Sequence, residues 1–211
     1  MPHLVLIGDS IFDNVSYTRG GPDVVSQVRE LLAPGWEATL LAVDGSTTDS
    51  VAAQLGRLPK QATHLVLSVG GNDALGHMSI LEAPASSMAE AIKQLAAVAS
   101  DFERRYRLVV AACLDNARPL AVCTIYNGCF TDHSFQRLAS TTLMMFNDVI
   151  IRVAVEHALP VVDLRLVCVA AEDYANPIEP SSVGGAKIAR VIVGLICGAD
   201  TSVASTRIVV V

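Results

Sequence analysis

The chain has 211 residues, 52% of them hydrophobic, five cysteines and a formal net charge of −6. That length carries one well-buried core, and the acidic balance excludes nucleic acid and an anionic membrane surface as partners, since both need basic patches. The apolar runs at 108–114 and 149–155 fall short of the roughly 20 residues that span a bilayer; the cysteines are odd in number and widely spaced in apolar segments, which favours buried thiols over disulfides or a metal site.

Met1 leads within two residues into a strand-like run, without the charged start, apolar stretch or cleavage site of a signal peptide, so a cytoplasmic protein is expected. In chain order the pattern predicts a strand over 3–7, a helix over 23–32 ended by Pro34-Gly35, a strand over 38–43, a helix over 48–58 stopped before Pro59, and a strand over 64–69. The stretch 86–116 contains a strand-like segment at 108–114, but Leu95, Val98, Phe102, Tyr106, Val109 or Val110, and Cys113 recur every three to four residues, and this period predicts a helix. A strand over 120–126, a helix over 134–157, a strand over 159–164 and a helix over 181–197 complete the series.

Five apolar strands alternating with helices predict an α/β fold: a parallel sheet with right-handed crossovers and helices on both faces, in a single domain over 1–200. The residues at 201–211 read as an apolar tail, expected to pack on its own domain or to join two copies in a homo-oligomer. In such a sheet the ligand site lies beyond the carboxyl ends of the strands. That directs attention to the loops at 8–14, 44–48, 70–76 and 126–132, with a contribution from 163–181.

The first of these loops holds Gly8-Asp9-Ser10, where a glycine permits a tight turn off the strand and a serine hydroxyl either caps the turn or faces a cleft as a nucleophile. The second holds Asp44-Gly45-Ser46, with a backbone N–H free to donate at Gly45. The third, Gly70-Gly71-Asn72-Asp73, is either an Asx turn or a source of donors for an oxyanion, through Asn72. The fourth places Asn127 where it lines a pocket or makes a turn. Taken in this order, the segments resemble the SGNH hydrolases, also called the GDSL lipase/esterase family, over nearly the whole chain.

The resemblance implies a flavodoxin-like three-layer α/β/α sandwich around about five parallel strands. It implies an esterase with Ser10 as nucleophile and an oxyanion hole made by the Ser10 and Gly45 N–H groups and the Asn72 amide. Asp9, Asp73 and Asn127 would then border a small ester substrate, with neither metal nor organic cofactor required. The family's fourth block is Asp-x-x-His before the last helix; here Asn176 stands at the aspartate and Glu179 at the histidine.

A carboxylate with an ordinary pKa of about 4.3 is a weak base near neutrality unless burial raises it. The paired change is chemically coherent, because an amide N–H at Asn176 suits a carboxylate at Glu179 as an aspartate suits an imidazole. His77 and His133 also follow catalytic-side strands and stand as alternative bases, with exposed loop positions as their plainer reading. A pocket that binds a ligand without turnover, or an assembly role, is the reading from a different class.

Overall fold

A computed structural model of the protein describes residues 1–198 and residue 208. The tail expected over 201–211 therefore lies, Ile208 apart, outside the described residues.

Strand β1 (His3–Gly8) is buried at every position, so it reads as an unbroken apolar run, as strands covered on both faces do. Helix α1 (Val24–Leu31) follows, with the Asp23 carboxylate accepting from Ser26 N at its start. Then come β2 (Glu37–Leu40), a 3₁₀ turn at Thr48–Ser50 running into α2 (Val51–Leu55), β3 (His64–Ser68), and α3 (Gly71–Gly76) with a 3₁₀ turn at Met78–Glu82. The second half contains α4 (Met88–Leu114), β4 (Leu120–Cys123), α5 (His133–Glu156), β5 (Val161–Val162), α6 (Leu164–Val167), the hairpin strands β6 (Tyr174–Asn176) and β7 (Glu179–Pro180), and α7 (Ser182–Cys197).

The five strands pair in the order β2-β1-β3-β4-β5, all parallel, and β6 pairs antiparallel with β7. Alternate residues of β1 divide the core. Leu4 and Leu6 pack with Val24, Val28, Ile188 and Ile192 of α1 and α7, while Val5 and Ile7 join Phe102, Tyr106, Phe146 and Ile150 of α4 and α5. This is the three-layer α/β/α sandwich expected from the sequence.

Helices α4 and α5 have 27 and 24 residues, about 40 and 36 Å at 1.5 Å per residue, against about 20 Å for the six residues of β1. The first buried residue of α4 is Phe102, and of α5 Phe146, so the leading half of each helix carries no fully buried residue, although Val98 of α4 packs against the core. By length and composition alone α5 is apolar enough to cross a membrane; its second half, from Phe146 to Ala154, is packed in the core.

Several boundaries differ from expectation. The strand expected over 159–164 is two residues long, because Asp163 caps α6 by accepting from Arg165 N. The helix expected over 48–58 is a 3₁₀ turn plus five α-helical residues. The loop at 70–76 is largely helical as α3.

Candidate active site

Gly8 ends β1 at φ +132°, and a Cβ there would lie 1.7 Å from Ser68 O, so no other residue fits without moving β3. Asp9 N donates to Ser68 O (3.1 Å), and Phe12 N and Asp13 N donate back to Asp9 O (3.1 and 3.2 Å). This turn sets Ser10 at the rim of the sheet, 6% exposed, on the wall of a cavity of about 110 Å³.

Buried Gln54 ties the first two loops together. Its Oε1 accepts from Gly8 N (2.8 Å), and its Nε2 donates to Gly8 O (2.8 Å) and Ser46 Oγ (3.1 Å). Ser46 O in turn accepts from Asn72 Nδ2 (2.9 Å), which fixes the Asn72 amide at the start of α3. Among the described residues no acceptor is found for the Ser10 N–H, the Gly45 N–H or the second amide hydrogen of Asn72. Of the three groups expected to form the oxyanion hole, Ser10 and Asn72 line the cavity, whereas Gly45 is exposed and lies off its lining, in a loop held to the other two by Gln54 and Ser46.

Glu179, in β7, lines the same cavity as Ser10 and is 7% exposed. Burial pushes its pKa up to about 7, against the lowering effect of the nearby Ser10 hydroxyl and with a smaller upward push from the Asp44 charge. Among the described residues its Oε2 is buried with no hydrogen-bond partner. Asp9, buried beside Ser10, has its pKa pushed up to about 8, first by burial, partly offset by the Ile11 N–H donated to its Oδ1 (3.2 Å), and further by the Glu179 and Asp73 charges. At neutral pH Asp9 is therefore protonated, and Glu179 is poised to gain or lose a proton.

Two expected roles require correction. The Asn176 amide does not donate to the Glu179 carboxyl among the described residues; Asn176 is exposed, and its Oδ1 accepts from Ile178 N (2.9 Å) and Glu179 N (3.0 Å), closing the hairpin turn. Asp73 does not line the cavity. Its oxygens accept from Thr48 N (3.0 Å) and Thr48 Oγ1 (2.6 Å), a brace between α3 and the turn before α2.

Asn127 lines the cavity, and its backbone carbonyl accepts from Gln136 Nε2 (3.0 Å). His77 is a half-buried part of the cavity wall with no side-chain hydrogen bond to Ser10 or Glu179 among the described residues. His133 is exposed at the first turn of α5 and lies off the cavity lining.

The sequence reading missed Gln54, Asn14 and Tyr126, all buried. Asn14 Oδ1 accepts from Val24 N (2.9 Å) and its Nδ2 donates to Pro180 O (3.2 Å), so it joins the loop after β1 to the start of α1 and to β7. Away from Ser10 the cavity is walled by Leu75, Met78, Leu81, Phe130, Leu143 and Phe146, supplied by α3, the turn after it, the loop after β4, and α5.

Solved structures share this frame. An extracellular lipase from Streptomyces rimosus aligns with a TM-score of 0.65 at 16% identity, over 92% of this chain and 97% of its own. An acetyl xylan esterase aligns with a TM-score of 0.68 at 17% identity, over 92% and 99%. An inhibitor-bound aryl esterase from M. smegmatis aligns with a TM-score of 0.65 at 11% identity, over 94% and 99%. At these identities the likeness is one of fold. No curated protein sequence matches the chain. The profile of the GDSL-like lipase/acylhydrolase family matches residues 6–184, a span that runs from β1 through Ser10, Gly45, Asn72 and Glu179 into α7. With that span and that sheet order, the chain belongs to the GDSL-like lipase/acylhydrolase family, whose class of activity is ester hydrolysis.

Proposed function

We propose that the protein is a serine esterase acting on carboxylic esters with an apolar acyl group, with Ser10 as nucleophile and Glu179 as its base. The observation that carries this reading is the meeting of Ser10 and Glu179 on one cavity wall, with the Glu179 pKa raised by burial to about 7. A general base works best when its pKa lies near the operating pH.

In the first half-reaction Ser10 Oγ attacks the ester carbonyl as its proton passes to the Glu179 carboxylate. The negative oxygen of the tetrahedral intermediate accepts from Ser10 N–H, Gly45 N–H and the Asn72 amide. Collapse breaks the ester C–O bond, and the leaving alcohol takes the proton from Glu179. In the second, Glu179 takes a proton from water as the water oxygen attacks the acyl carbon, and returns it to Ser10 when the acid leaves. Protonated Asp9 adds no negative charge beside the developing oxyanion.

Turnover of a short-chain aryl ester by the native chain, Ser10→Ala and Glu179→Gln tests the assignment. Both substitutions are expected to lower kcat by at least about 10³-fold and to leave about 10³–10⁴-fold catalysis over water from the oxyanion hole and binding. Equal rates for the native chain and Ser10→Ala would sink the serine mechanism and favour a ligand-binding or assembly role. Loss of activity in His77→Ala with Glu179→Gln unimpaired would reassign the base.

A further inference from the structure

Among the described residues Ser10 is the one side chain that engages the Glu179 carboxyl: its Oε2 has no partner, and Asn176 engages the backbone instead. The backbone around it, however, is tied at four consecutive residues. Cys129 N donates to Pro177 O (2.8 Å) and Tyr126 Oη to Ile178 O (2.5 Å). Glu179 N donates to Asn176 Oδ1 (3.0 Å) and Asn14 Nδ2 to Pro180 O (3.2 Å). Asn14 is 0% and Tyr126 5% exposed, so both anchors are fixed in the core. Gly128 at φ +69° lets the loop after β4 come this close, because a Cβ there would lie 2.7 Å from Pro177 O.

We propose that Tyr126, Asn14 and Asn176 are positioning residues for the base, holding the backbone on both sides of Glu179 so that its carboxylate faces Ser10 with no second side chain bound to it. This rests on the reading of Glu179 as the base. The physical reason lies in the difference between the two kinds of base. An imidazole needs a partner to set its tautomer, whereas a carboxylate has two equivalent acceptor oxygens. A second donor bound to that carboxylate, beyond the Ser10 hydroxyl, would further stabilise the anion and weaken the base. A clamp on the backbone orients the group and leaves it desolvated.

The test follows kcat, KM and the acid limb of the pH–rate profile on a short-chain aryl ester. Tyr126→Phe keeps the ring and removes the hydroxyl; kcat is expected to fall about 10- to 100-fold, as for a small misplacement of a reacting group, with KM unchanged within about twofold. The acid limb is expected to move down from about 7 toward the ordinary glutamate value of about 4.3 as the carboxyl reaches water. Asn176 is exposed, so its variants keep the core intact if Tyr126→Phe fails to fold. Asn176→Ala should reproduce both changes, and Asn176→Asp should recover the native profile, because a carboxylate accepts from the same two N–H groups.

A folded Tyr126→Phe or Asn176→Ala with native kcat and an unmoved acid limb overturns the clamp, as does a fall in kcat with the limb unmoved. Glu179→Gln separates the two failures. If it is inactive while the clamp variants behave as native, only the clamp falls; if it is active, the base assignment falls and takes the clamp with it.

Discussion

Asp9 stands beside the nucleophile in a place where a charge would be costly. Its pKa of about 8 lies above the unfolded value of about 3.9. Between those values the folded chain holds a proton that the unfolded chain has released, so this residue's contribution to stability declines as pH rises from about 4 to about 8. Asp9→Asn keeps an acceptor for Ile11 N and cannot ionise. The expected results are a higher unfolding midpoint than native at pH 8, an unchanged one at pH 4, and loss of an alkaline limb near pH 8 from the rate profile. Thermal unfolding at the two pH values and a pH–rate series check all three. At this scale the family resemblance singled out Ser10, Gly45 and Asn72 in loops at the ends of apolar runs; of these Ser10 and Asn72 line the cavity. Gln54 was not legible, since a glutamine in a short amphipathic turn reads as a surface residue and its partner Gly8 lies 46 positions away.

Helix α4 was read as a helix through the strand-like 108–114 because the period of its apolar residues outweighed their β-branching. Its polar side carries a network with α5. Glu103 accepts from Arg107 (2.7 Å) and Arg152 (2.9 Å), and Arg107 also pairs with Glu156 (2.5 Å). Arg152 and Arg107 hold the Glu103 pKa down at about 2. A depressed carboxyl pKa stabilises the fold above the unfolded value of about 4.3, and that gain is lost as pH falls toward 2. Because these side chains are partly exposed, Glu103→Gln is expected to cost about 1 kcal/mol at pH 7 and close to nothing at pH 2, measured by urea unfolding. The short elements were read less well. The strand over 159–164 and the helix over 48–58 were each drawn too long: Asp163 ends the strand by capping α6, and the helix begins as a 3₁₀ turn and ends at Leu55 before Gly56.

Across the whole molecule, the sheet order brings the ends of β1, β3 and β4 to one edge, where the leading half of α5 overhangs and closes an apolar cavity against α3. A chain laid in that cavity gains about 0.8 kcal/mol per buried CH₂. Lengthening the acyl group from acetyl to butyryl to hexanoyl is therefore expected to raise kcat/KM roughly threefold to fourfold per methylene until the cavity is filled. A flat series would place the acyl group elsewhere. The sequence by itself determined the α/β order, the parallel sheet and the loops that carry Ser10, Gly45 and Asn72, because periodicity and strand-end glycines are local properties of the chain. Only the tertiary structure decided that Asn176 closes a turn, that Asp73 braces Thr48, and that burial raises the Glu179 pKa toward neutrality. The last two depend on desolvation and on hydrogen bonds between segments far apart in sequence, which no local pattern records, and the first on which of two local partners the Asn176 side chain takes.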